Sequence, residues 1–156
     1  MEESFQLDEI DRKLLRLLQR DASQSHAALA QLVGASPAAV WRRIRAMETA
    51  GVLGNMVRLA DPQQLGCAVT VMFQLRMKSH APAARAAFEA FLLTKDEIVT
   101  CYSMSGEWDY WLRIVAGGVA EYERFLMREL LNNPAVAGAA SHFALAEVKN
   151  TTSLPV

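Results

Sequence analysis

Histidine and cysteine are scarce in this chain of 156 residues, three and two respectively. Cys67 and Cys101 have no CxxC partner and no histidine at ligand spacing, so no metal site is expected. They read as reduced, partly buried thiols of a cytoplasmic protein. His26, His80 and His142 fall on a short helix, in a loop and on a last strand, and form no recognisable cluster. No Ser/His/Asp, paired-carboxylate or phosphate-loop pattern stands out, so neither catalytic residues nor a cofactor are expected. No run approaches the roughly 18 apolar residues of a membrane span. The acidic start Met1-Glu2-Glu3-Ser4 is unlike a signal peptide.

Bulk positive charge is missing too. Sixteen Lys/Arg face seventeen Asp/Glu, a formal net charge of −1, which excludes a histone-like polycation. Residues 1–60 hold eight Lys/Arg and seven Asp/Glu (+1), and residues 61–156 hold eight and ten (−2). Any DNA binding must therefore rest on local clusters and multivalency.

What is present suits a folded protein: 52% hydrophobic and 21% charged residues. Two small lobes of such a chain are marginal alone, which favours an oligomer.

Residues 7–50 read as three helices. Asp8 is placed to cap the first, with Asp11 three residues on, and apolar residues at 7, 10, 14, 17 and 18 form one stripe. Ser25 caps a short second helix whose Leu29, Leu32 and Val33 are expected to point inward. Ser36-Pro37 opens a third, with a hydroxyl at the N-cap and proline at the first helical position. It runs to about Ala50, where Gly51 ends it.

The rhythm then changes. Val52–Ala60 looks extended, a linking strand, and Asp61-Pro62 marks a turn. Cys67–Met77 alternates with period two, a strand. Residues 82–93 are helical, Glu97–Ser103 and Trp108–Ala116 are strands around Gly106, Ala120–Leu131 is helical and Ala137–Val148 is a last strand. The order β-α-β-β-α-β is that of the ferredoxin-like split, with two helices on one sheet face. The other face, carrying Trp and Tyr, needs a partner subunit as its cover.

Ala30, Gly34 and Val40 supply the small residue, the turn glycine and the β-branched anchor of a helix-turn-helix. At about 100° per residue, Val40, Ile44 and Met47 of the third helix share the core side. Ala38, Arg42 and Arg45 lie opposite, Trp41 on one flank and Arg43 near the core boundary. Small residues admit the helix to a major groove, and Arg can contact guanine bidentately or meet phosphate. Ser36 and Pro37 mark the helix start, whose free N–H groups suit a phosphate. The DNA-contact candidates are Ser36, Pro37, Ala38, Trp41, Arg42, Arg43 and Arg45. Trp41 remains open between DNA contact and core edge.

The segments Leu7-Asp8-Glu9-Ile10-Asp11 and Val33-Gly34-Ala35-Ser36-Pro37-Ala38-Ala39-Val40-Trp41-Arg42-Arg43-Ile44, with Ser105-Gly106-Glu107-Trp108-Asp109-Tyr110 and Thr151-Thr152-Ser153-Leu154-Pro155, resemble the Lrp/AsnC family of feast/famine regulators. The resemblance runs along nearly the whole chain. It implies an α+β chain: a three-helix helix-turn-helix domain (1–53), a linking strand and hinge (54–65), and a ferredoxin-like RAM domain (66–156). It implies a cytoplasmic, nucleoid-associated regulator that binds double-stranded DNA as a homodimer, assembling further to a tetramer or octamer, and that answers to a small amino-acid effector. The Thr-Thr-Ser-Leu-Pro ending is most like the branch of cysteine-detoxification regulators.

The family's effector turn carries over to Gly106, Glu107, Trp108 and Asp109, with Met104 lining its neighbourhood. A glycine-containing turn exposes N–H groups for a carboxylate, and Asp109 can take an ammonium. Gly106 as a plain hairpin turn capped by Asp109 is the competing reading. Two other functions stay open: a weakly specific architectural DNA-binding protein, and a tetrapyrrole decarboxylase-like enzyme of the same fold.

Overall fold

A computed structural model describes residues 5–156; the Met1-Glu2-Glu3-Ser4 start lies outside the described residues. The chain divides into two compact units, one made of residues 1–58 with 149–156 and the other of residues 59–148.

The first unit is built on α1 (Glu9–Leu18), α2 (His26–Val33) and α3 (Pro37–Thr49). Each starts on a capping side chain. The Asp8 carboxylate accepts from the Asp11 N–H while the Asp11 carboxylate accepts from the Asp8 N–H, so two orphan donors are satisfied reciprocally. Ser25 and Ser36 accept from the N–H of Ala28 and Ala39. Gly34 ends α2 with φ 70°, a left-handed conformation that favours glycine, and so sets the sharp turn into α3. Leu14, Leu15, Leu29, Ala30, Val33, Val40, Ile44 and Met47 form the core. Leu32 does not join it: the side chain expected inside is 60% exposed, because α2 is only eight residues long and buries one stripe.

The second unit is a four-stranded antiparallel sheet in the order β2-β3-β1-β4, formed by β1 (Val69–Met77), β2 (Ile98–Ser103), β3 (Tyr110–Ala116) and β4 (Val136–Phe143). The helices are α4 (Pro82–Leu92) and α5 (Val119–Phe125), the latter continuing as a π-helical turn over Leu126–Leu130. Alternation along the strands sends Val71, Phe73, Leu75, Tyr110, Leu112 and Ile114 to the helix side, where they bury Phe88, Leu92, Tyr122 and Phe125. The opposite face carries Met72, Trp111 and Tyr102, with Tyr102 directly across from Trp111 and their rings 6.0 Å apart. The ferredoxin-like expectation holds.

Two expected boundaries change. Val52–Ala60, expected as a linking strand, is a bend followed by irregular chain, and Met56, Val57 and Leu59 are exposed. Extended chain forms a strand only with a neighbour to pair with, and this segment pairs with no strand among the described residues. The last strand stops at Phe143 rather than Val148; Ala144 makes one more bond, donating its N–H to the Thr70 carbonyl at 2.9 Å, and β1 itself begins at Val69. Residues 149–156 group by proximity with the helices.

Candidate DNA surface and effector turn

The start of α3 presents small, exposed residues. Ser36, Pro37 and Ala38 are exposed, and Val40, Ile44 and Met47 beneath them are fully or nearly buried. Trp41 is 52% exposed, which places it on the outer surface of α3 rather than in the core. Arg42 is exposed and has no ion-pair partner among the described residues. Arg45, also exposed, reaches Glu48 one turn on at 2.9 Å, a surface pair that gives way at little cost.

Arg43 is used differently. Its guanidinium Nη1 donates to Asp8 Oδ2 at 2.6 Å and to Asp11 Oδ1 at 2.8 Å, tying α3 to the start of α1. The N–H of Asp11 and then the Arg43 guanidinium hold the Asp8 carboxyl below the usual carboxylate range. Asp11 and then Asp8 push Arg43 further up, so it stays charged. Arg43 stands among the DNA-contact candidates, near the core boundary. The structure pairs this side chain with the capping box that Asp8 and Asp11 make at the start of α1, 35 and 32 residues earlier in the sequence.

The five effector-turn candidates do come together between β2 and β3. Gly106 has φ 111° with open space around its missing side chain. The N–H groups of Ser105, Gly106, Glu107 and Trp108 donate to no acceptor among the described residues. Met104 closes the turn by donating its N–H to the Asp109 carbonyl at 2.8 Å and is exposed, as are Gly106 and Glu107. Asp109 is part anchored: its Oδ2 accepts from the Met77 N–H at 2.7 Å, whereas Oδ1 lies 3.3 Å from His80 Nδ1. One oxygen fixes the turn to β1, and the other lies beside an exposed histidine.

Sequence reasoning missed the groups around the turn. Arg76 on β1 stacks over the Trp108 ring at 5.1 Å and lies 3.8 Å from Glu107. Its place at an even position of an alternating strand was the available signal that it leaves the core. A groove of about 470 Å³ runs along α4 and β2, floored by Leu92, Ile98 and Tyr110. None of the five turn candidates lines it. At its polar end the Tyr110 hydroxyl donates to Glu89 at 2.5 Å and Arg85 donates to the Ser103 hydroxyl at 2.7 Å. Burial and then Glu89 push the Tyr110 and Cys101 acids up, so both stay neutral in ordinary buffers.

Two family models divide the chain between them, one over the helices and one over the sheet and the segment after it. The AsnC-type helix-turn-helix domain model matches residues 7–48, and the Lrp/AsnC ligand binding domain model matches residues 70–154. The DNA-binding transcriptional activator DecR of Escherichia coli is 33% identical over 150 residues, 96% of this chain and 99% of that one. The glutamate uptake regulatory protein of Zymomonas mobilis is 35% identical over 96% of this chain and 91% of its own length. Among solved structures, a transcriptional regulator of Neisseria meningitidis in complex with L-Met superposes with TM-score 0.92 at 30% identity, covering 96% of this chain and 97% of that one.

Proposed function

The chain belongs to the Lrp/AsnC family of DNA-binding transcriptional regulators, and from that premise we propose that its DNA affinity responds to a small amino acid held at the Gly106–Asp109 turn. The observation that carries this is the combination, within a single turn, of four N–H donors without an acceptor among the described residues and one carboxylate oxygen that takes no backbone N–H. An α-amino acid brings the complementary pair: its carboxylate meets the N–H groups, and its ammonium meets Asp109 Oδ1, displacing His80. The L-Met bound to the Neisseria relative supports this ligand class.

On the DNA side Arg42 is the base-reading side chain, Trp41 and Arg45 flank it, and Ser36, Pro37 and Ala38 form the close-approach edge. The protein acts as a regulator rather than an enzyme. A second copy covers the sheet face of Met72, Tyr102 and Trp111 and pairs with the exposed Met56–Leu59 segment, giving a homodimer able to assemble further. The Thr151–Pro155 ending supports a place near the cysteine-detoxification regulators.

A thermal-shift screen of the amino acids identifies the ligand, since binding to the folded state raises stability. Calorimetric titration of wild type against Asp109→Asn then tests the site. The amide keeps an acceptor for Met77 but loses the charge, so affinity falls about tenfold to a hundredfold, the worth of a charge-assisted bond of about 1.5–3 kcal/mol. Equal affinities remove Asp109 from the site. A wild type that binds no amino acid removes the site altogether, and equal affinity for promoter and bulk DNA favours the architectural reading.

A further inference from the structure

Neither the DNA surface nor the effector turn uses the Thr151-Thr152-Ser153-Leu154-Pro155 motif. In the structure it lies along the C-terminal half of α1. Gln19, the C-cap of α1, engages it three times. The side-chain amide donates to the Leu154 carbonyl at 3.2 Å and accepts from the Leu154 N–H at 2.6 Å, and the Gln19 carbonyl accepts from the Ser153 hydroxyl at 3.2 Å. One turn earlier Arg16 Nε donates to the Val156 carbonyl at 2.8 Å. The Ser153 N–H turns back onto the Thr151 hydroxyl at 3.1 Å, and Val156 packs against the edge of the helical core. The segment has no secondary structure of its own, so these contacts supply its order.

The grip has a physical route to DNA. Gln19 and Arg16 hold the segment at one end of α1, and Asp8 and Asp11 hold Arg43 of α3 at the other. Between Phe143, the end of β4, and Lys149 only residues 144–148 intervene.

We infer that the α1 surface around Arg16 and Gln19 is a docking site for residues 149–156 of the same chain, and that this strap sets the order of α1 and, through Arg43, the seating of the recognition helix on DNA. The helical domain is then a two-piece domain. Its second piece is the continuation of the sheet's last strand.

The test uses the full chain with Gln19→Ala beside a chain ending at Val148. Hydrogen exchange of the α1 amides and affinity for sheared genomic DNA are the readouts. With Gln19→Ala, α1 exchange quickens about tenfold for the loss of two hydrogen bonds of ordinary strength. DNA affinity falls several-fold, and β1 and β3 amides exchange as before. In the shortened chain both effects are larger, and a synthetic peptide of residues 149–156 restores slow exchange. Unchanged α1 exchange in both variants overturns the strap. Faster exchange with unchanged DNA affinity overturns its coupling to α3. A Gln19→Cys/Leu154→Cys pair, in a Cys67→Ser/Cys101→Ser background, reports the source of the segment. A disulfide within one chain supports the proposal, and a cross-linked dimer overturns its same-chain form.

Discussion

Among the described residues the helical unit closes on eight buried apolar side chains, from Leu14 to Met47, whereas the sheet unit closes on fourteen, from Val71 to Val136. The helices of the two units differ in a matching way. In the first, Asp8, Ser25 and Ser36 each cap a helix with a side chain. In the second, α4 starts at Ala81 and α5 at Gly118 with no side-chain cap at all. A cap is worth about 1 kcal/mol, and a buried large side chain about 1.5–3. Where the core is small, local polar terms hold the helices; where it is large, burial does so and the caps are dispensable.

The strongest way to break this comparison is to remove core from the sheet unit. Phe73 sits at the centre of β1, fully buried between β3 and β4. Phe73→Ala costs about 3–5 kcal/mol, the sum of lost burial and a cavity that packed neighbours cannot fill. Urea unfolding followed by tryptophan fluorescence measures it. A loss below about 1 kcal/mol would mean that the sheet does not depend on its core as described.

Next comes Arg43. Removing it leaves the nearly buried Asp11 carboxylate and the half-exposed Asp8 without their cation. Arg43→Ala therefore destabilises the helical unit by about 1–3 kcal/mol, chiefly through the nearly buried Asp11. Its neighbour Arg42, exposed and free of ion pairs among the described residues, behaves oppositely. Arg42→Ala changes stability by less than about 0.5 kcal/mol but weakens specific DNA binding by about 1–3 kcal/mol per half-site. Circular dichroism melts and gel-shift titrations of both variants separate the two roles. Equal behaviour would erase the distinction between them.

That distinction was not legible in the sequence, and the reason is distance. Ser36-Pro37, Ser25 and Asp8 with Asp11 announce helix starts because a cap needs only residues three apart. Alternation through Val71, Phe73 and Leu75 announces β1 because successive side chains point to opposite faces. The family's motifs placed the turn at Gly106–Asp109. Arg43 meeting Asp8, Asp109 meeting Met77, and Gln19 meeting Leu154 join residues 32 or more positions apart. No local pattern encodes those pairs, and the linking segment read as a strand because extended residues look alike with or without a partner strand.

Acid sharpens the comparison further. The Asp8 carboxyl is held below its ordinary value by the Asp11 N–H and by Arg43. A carboxylate with a lowered folded pKa stabilises above its unfolded value of about 3.9, and this contribution disappears as pH falls through the folded value. The helical unit therefore loses stability as pH falls below the ordinary carboxylate value of about 3.9, more steeply in wild type than in Arg43→Ala, where part of the shift is gone. Urea midpoints of the helical signal across that window give the two slopes. Parallel slopes would show that Arg43 does not hold Asp8.

The smallest effects separate two glycines that look alike in sequence. Gly34 in the helical unit has φ 70° and ψ 39°, the left-handed region that asparagine also tolerates. Gly106 in the sheet unit has φ 111°, beyond that region. A side chain at either meets nothing within 4 Å, so any cost is conformational rather than steric contact. Gly34→Asn then costs a few tenths of a kcal/mol and Gly34→Ala about 1 kcal/mol. Gly106→Asn and Gly106→Ala both cost about 1–2 kcal/mol, because neither residue adopts the required φ without strain. The turn can escape part of this by flipping its peptide, which would re-aim the N–H groups proposed to receive a carboxylate. Melting temperatures of the four variants, taken with their amino-acid affinity, decide the matter. Asparagine rescuing Gly106 as well as it rescues Gly34 would show that the effector turn needs only an ordinary left-handed residue.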